Sequence, residues 1–221
     1  MRALESLERD HRLLQGLTDA LEVYVAALDA GQTLRAGDLR DLVNAFRTVA
    51  DYRHFEKVEE VLIPLLVRSG FDFDLARLDD GRHEHERVRY LIEVLHQSAE
   101  RELNWNLDER QRIARAARHL IEEQRRISAR QTVELFPEIV TRLDAPVLGQ
   151  LTEQLCHFDE TSAARGPELD ISAVSASVFA RYATPLPPPS AARDLPESLE
   201  SAFQSALQSS RDLPSTRELA R

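Results

Sequence analysis

The apolar positions of the first 160 residues recur at alternating steps of three and four. Leu4, Leu7, His11, Leu14, Thr18, Leu21, Val25 and Leu28 form the first such seam, the pattern of a helix that buries one face. It stops at Asp29-Ala30-Gly31, glycine being the residue best suited to end a helix. A second segment, with Asp38 as its expected cap, runs through Leu42, Phe46, Ala50, His54, Val58, Val61 and Leu65 and breaks at Ser69-Gly70. The third starts near Gly81 and carries His85, Val88, Ile92 and Leu95 on one face. Asn106 or Asp108 caps the fourth, whose stripe reads Ile113, Ala117, Leu120, Gln124, Ile127 and Gln131. A shorter fifth helix follows Pro146, with Leu148, Leu151, Leu155 and Phe158 apolar.

Four amphipathic helices, each with a single stripe to bury, pack as an all-α, up-down four-helix bundle over residues 1–160. After Glu160 the character changes. Residues 161–221 read as a Ser/Ala/Pro-rich, partly disordered tail. Pro185-Leu186-Pro187-Pro188-Pro189-Ser190 is an extended, semi-rigid stretch, and residues 195–207 form a short, weak helix. Val174, Val178, Phe179 and Tyr182 are the tail positions able to dock on the bundle.

Composition narrows the class. One cysteine in 221 residues excludes a disulfide scaffold and any cysteine-rich zinc site, in keeping with a cytoplasmic protein. No run approaches the roughly 18 apolar residues of a membrane span, and Met1-Arg2-Ala3-Leu4-Glu5 lacks the apolar core of a signal peptide. A net charge of −10 argues against nucleic acid as partner. Residues 1–160 hold 22 basic and 31 acidic side chains, so the acidity belongs to the helical part. Lys57 is the sole lysine, which reads as codon bias.

The informative positions are polar residues inside apolar stripes. His11 lies between Leu7 and Leu14, His54 between Ala50 and Val58, and His85 one turn before Val88. One such histidine is ordinarily a hydrogen-bonded core residue, whereas three on three helices point to a shared partner. Neutral imidazoles in a dry core need partners, and a metal ion satisfies several at once. Imidazole with carboxylate inside a helical bundle is the donor set of di-iron and di-manganese proteins. Glu59, five residues after His54, lies at the edge of the same face. Glu56, Glu60, Glu84 and Glu86 read as solvated, His83 falls off the His85 stripe, and His96, His119 and His157 point away from theirs.

His54-Phe55-Glu56-Lys57-Val58-Glu59-Glu60-Val61-Leu62-Ile63-Pro64 resembles the second-helix signature of the hemerythrin-like (HHE cation-binding) family. His85-Glu86-Arg87-Val88-Arg89 is similar to the family's third-helix motif and Asp10-His11-Arg12 to its first. The resemblance covers residues 4–160. It implies an up-down bundle holding non-haem iron with carboxylate and oxo or hydroxo bridges, and chemistry with oxygen, nitric oxide or peroxide, or iron sensing. The fourth helix departs from the pattern. Leu135-Phe136-Pro137 is present, yet Ile127 stands where a histidine is expected, with Gln131 and Thr132 in place of the acids. Val58 likewise replaces an acid in the second helix. The family ligands that carry over are His11, His54, Glu59 and His85. Three histidines and one glutamate are enough for one divalent metal with open positions and too few for two.

The expected function is therefore that of a metal-binding protein holding one or two iron ions and binding or sensing a small diatomic or peroxide ligand. The alternative is a metal-free bundle acting as a regulatory or interaction module, with the tail engaging a protein partner. An enzyme with organic substrates finds little support: there is no glycine-rich phosphate loop, and Cys156 has no activating motif beside it.

Overall fold

The structure, a computed structural model, describes residues 4–71, 75–100, 105–162 and 170–182, with side chains placed for all of these except 75–80 and 162. All the regular structure among them is helical: α1 (Glu5–Asp29), α2 (Ala36–Phe46), α3 (Ile63–Arg68), α4 (Leu75–Glu100), α5 (Leu107–Arg130), α6 (Phe136–Arg142), α7 (Ala145–Ser162) and α8 (Ile171–Tyr182). Three stretches wind as π-helix: π1 (Arg47–Phe55) and π2 (Lys57–Leu62) join α2 to α3, and π3 (Gln131–Leu135) joins α5 to α6. The second and fourth rods of the bundle are thus continuous helices with widened turns in the middle. α1 packs on α5 and α2, and α4 packs on α5 and α2, which closes the ring of an up-down four-helix bundle.

Local signals account for the helix ends. Gly31 and Gly70 take φ of 72° and 68° just past α1 and α3, the left-handed stop a side chain resists. Asn106 caps α5 in a complete capping box, its Oδ1 accepting from Glu109 N–H while the Glu109 carboxylate accepts from Asn106 N–H. Two starts differ from expectation. α2 begins at Ala36 with Arg35 as its cap, because the Asp38 carboxylate is drawn inward to accept from the Tyr182 hydroxyl and the Arg181 guanidinium. α4 begins at Leu75, one and a half turns before Gly81, which lies within the helix.

α8 is a helix where the sequence showed only scattered apolar positions. It lies against α1 and α2; Ile171, Val178 and Tyr182 are buried, Val174 is half-buried and Phe179 is exposed. Tyr182 secures its end: the hydroxyl accepts from Arg35 N–H at 3.2 Å and donates to Asp38, and the ring meets Tyr24 edge-on at 5.5 Å. α8 belongs to the same compact unit as the bundle, and the second unit, Thr184–Arg221, with the Pro-rich stretch and the expected 195–207 helix, lies outside the described residues.

The core forms two apolar clusters. The larger fills the bundle from Leu14 and Ala50 through Ile92, Leu120 and Ile127 to α8. The smaller joins Leu4, Leu7, Val58, Leu62, Phe136 and Ile139 to Leu151 and Leu155 of α7. On α1, on the second rod and on the fourth rod, the residues between the clusters are polar: Asp10 and His11, His54 and Lys57, and Gln131. A polar layer crosses the bundle there, with α7 covering the shorter end.

Candidate metal centre

The widened turns supply the polar layer. π1 carries His54, π2 carries Lys57 and Glu59, and π3 carries Gln131 and Thr132. An i→i+5 turn is broader than an α-turn, so more positions face inward. His54, Phe55, Lys57, Val58 and Leu62 are all buried, whereas Val61, expected on the stripe, is half-buried.

His11 and His54 meet at the centre. Their Nε2 atoms are 3.3 Å apart, and Gln131 Oε1 lies 2.8 Å from the first and 2.7 Å from the second. The far side of His11 is held by Thr132, whose Oγ1 is 3.1 Å from Nδ1, and its ring stacks on Phe136 at 5.2 Å. His54 is fully buried, and its Nδ1 has no hydrogen-bond partner. Either tautomer leaves that atom unsatisfied, a cost of about 1–3 kcal/mol. Burial holds the pKa of both rings below the usual 6.5, and for His54 the neighbouring His11 pushes it lower still. Both imidazoles are therefore neutral at neutral pH, the form that binds metals.

Glu59 and His85 form a separate pair. His85 Nδ1–H donates to Glu59 Oε1 at 2.6 Å, and the His85 ring stacks on Phe55 at 3.9 Å. Arg89 grips the same carboxylate with two N–H groups at 3.2 and 3.1 Å while its Nε donates to Asp51 at 2.5 Å. Burial by itself raises the Glu59 pKa, but these hydrogen bonds outweigh it and bring the carboxyl down to about 2. Among the described residues no group of three or more His, Cys, Asp or Glu donors gathers around one point.

A third set binds the layer together. Lys57, with no exposed surface, donates from Nζ to Ser6 Oγ at 2.8 Å and Asp10 Oδ2 at 2.7 Å and pairs with Asp159 Oδ1 at 2.5 Å. Arg53 adds a bond to Asp10 Oδ1 at 2.9 Å. α1, π1, π2 and α7 are thus tied beside the two histidines.

The four expected site residues therefore fall into two pairs, His11 with His54 and Glu59 with His85. The sequence reading placed Gln131 where an acid was expected and took Lys57 for codon bias, and it expected neither of them, nor Arg89, at the site. One signal was available for Lys57: it is the sole lysine of an arginine-rich chain. Glu84, read as solvated, is 4% exposed and bound by Arg130 and Arg126. Glu56 and His96 are half-buried, whereas His83, Glu60, Glu86, His119 and His157 are exposed.

The fold is an up-down helical bundle with a histidine pair meeting between two of its rods. The family model of the hemerythrin HHE cation binding domain matches residues 2–126, more than half of the chain, and the chain belongs to that family. The match ends just before Ile127 and Gln131 of the fourth rod. No curated protein and no solved structure matches the chain significantly.

The residues present fit one metal ion better than two. Two neutral imidazoles whose Nε2 atoms approach to 3.3 Å, with His11 Nδ1 braced by Thr132, have the chemistry of a metal ligand pair. A second ion would need the Glu59 carboxylate, both of whose oxygens are engaged by His85 and Arg89.

Proposed function

We propose that this hemerythrin-like protein holds iron at the His11–His54 pair and uses it to bind or sense a small ligand such as oxygen, nitric oxide or peroxide. The observation that carries the reading is the 3.3 Å approach of His11 Nε2 and His54 Nε2 in the core, with both rings kept neutral by burial. Iron, when bound, supplies an open coordination position for a small oxidant. The protein's own part is to orient and exclude. Thr132 and Phe136 fix the His11 ring, and Phe55 and Glu59 fix the His85 ring and hold its proton on Nδ1. The apolar cluster with Leu151 and Leu155 of α7 forms an apolar wall beside the layer on that side.

Elemental analysis after anaerobic reconstitution with Fe(II), with an optical spectrum before and after exposure to oxygen or nitric oxide, tests this. Stoichiometric iron and a ligand-dependent spectrum are expected, and a protein that retains no iron overturns the reading. A second reading, a metal-free interaction module, draws on the same contacts. Gln131 gives both Nε2 atoms an acceptor, and Arg89 neutralises Glu59 without an ion. It predicts a thermal midpoint indifferent to added metal.

A further inference from the structure

We propose that Gln131 is the third protein donor of a mononuclear site, its Oε1 joining His11 Nε2 and His54 Nε2 on one face of a single divalent first-row ion, while Arg89 withholds Glu59 from that ion. The inference rests on the metal-binding reading above and gives the site a donor set that the departures in the fourth helix otherwise leave short.

The three atoms form a triangle with edges of 2.7, 2.8 and 3.3 Å. Donors bound to one ion at about 2.1 Å stand about 3 Å apart along an octahedral edge, so this triangle matches one coordination face. Two of the pair's tautomer patterns treat the Nε2 atoms alike. If both Nε2 atoms carry protons they donate to Gln131, and Thr132 serves His11 Nδ1; His54 Nδ1 lacks a partner in this pattern and in the other. If both Nε2 atoms carry lone pairs, three electron-rich atoms converge, and only a cation makes that favourable. In this second pattern His11 Nδ1–H donates to Thr132 Oγ1, the outer-shell hydrogen bond typical of a ligating histidine.

Gln131 is also placed as a ligand should be. It is 4% exposed, lies on the widened π3 turn opposite π1, and brings its oxygen to both histidines at once. Two imidazoles and an amide give a site whose protein donors are all neutral. Glu59, the nearest spare carboxylate in the expected set, is instead fixed in a fork by the Arg89 guanidinium, whose charge takes the place of a neighbouring metal's. A neutral face holds a divalent ion more weakly than one with a carboxylate and favours the lower oxidation state of a redox metal.

The test uses the full chain, stripped of metal and titrated anaerobically with Co(II), an optical probe with ligand-sensitive visible bands. Bound metal is counted after gel filtration. Wild type is expected to take one Co(II) per chain. Gln131→Glu, nearly the same size and now anionic, is expected to tighten Co(II) binding by about tenfold or more and to move the visible bands. Gln131→Leu is expected to weaken binding by about tenfold or more, with its metal-free circular dichroism checked against wild type. Glu59→Gln is expected to leave the bands in place. Two Co(II) per chain, bands that ignore Gln131→Glu, or bands displaced by Glu59→Gln overturn the assignment while leaving metal binding itself standing. A wild-type chain that takes up no Co(II) overturns both.

Discussion

Lys57 and Asp10 form an ion pair with no exposed side-chain surface on either partner, Nζ to Oδ2 at 2.7 Å, one helical turn from His54 and adjacent in sequence to His11. Asp159 and Ser6 complete the shell around the ammonium, so the pair couples α7 to the rods that carry the histidines. Burial raises the Asp10 pKa, with Lys57 and Arg53 opposing it. The carboxylate therefore depends on those cations.

Lys57→Met removes the charge that balances Asp10 and Asp159. Breaking one side of a buried pair typically costs about 3–5 kcal/mol, and a loss of that order is expected in urea unfolding. The double variant Lys57→Met with Asp10→Asn should lose less than the sum of the two single changes, because the residues share one network. Additive losses would show that the pair contributes no coupling.

Acid sensitivity should begin near the histidine range. Burial lowers the folded pKa of His54 and His11 below 6.5, so below pH 6.5 the unfolded chain binds protons that the folded chain refuses. Stability from these groups is fully present above pH 6.5 and is lost as pH falls below it. The slope approaches about 1.4 kcal/mol per pH unit for each histidine. Urea midpoints of the metal-free protein between pH 7.5 and 5.5 measure it, and His54→Gln should flatten the slope.

Glu59 governs a lower window. Its folded pKa of about 2 lies below the ordinary 4.5, so its contribution is present above pH 4.5 and is lost between 4.5 and 2 as the carboxylate held by His85 and Arg89 is protonated. Glu59→Gln should lower stability at pH 7 and remove this part of the acid limb, while the limb from the buried histidines persists. The side chain is 27% exposed, so solvent screening keeps the effect modest.

Metal retention should separate two histidines that stand close in motif terms. His54 is fully buried beside His11, and His83 is exposed on α4. His54→Ala should lose reconstituted metal, whereas His83→Ala should retain it at the wild-type ratio. Equal retention in both variants would mean that the ion is held elsewhere.

The four stripes were legible in the sequence because each helix must hide one apolar face. Ile113, Ala117, Leu120, Gln124, Ile127 and Gln131 are all buried as their spacing predicts. The stops at Gly31 and Gly70 and the Asn106 cap follow from backbone preferences that act within a few residues. The placement of His11, His54 and His85 on the inward faces follows from the same period.

What the period cannot carry is a change in the period. An α-helical wheel leaves Lys57 off the seam and puts Val61 on it, yet the π-turns reverse the two, and Lys57 is buried. Helix α8 escaped the sequence reading for a related reason. Its docking is fixed by Tyr182 and Arg181 reaching Asp38, some 143 residues earlier in the chain.

The sequence by itself determined an all-helical bundle, its four seams and three inward histidines, because these depend on interactions within a turn or two. Tertiary structure alone decided which polar atoms meet: His11 with His54 and Gln131, and Glu59 with His85 and Arg89. Those pairings depend on how separate rods are rotated and where their turns widen. A side chain's partner across a core is set by packing between helices, and no spacing along one helix encodes it.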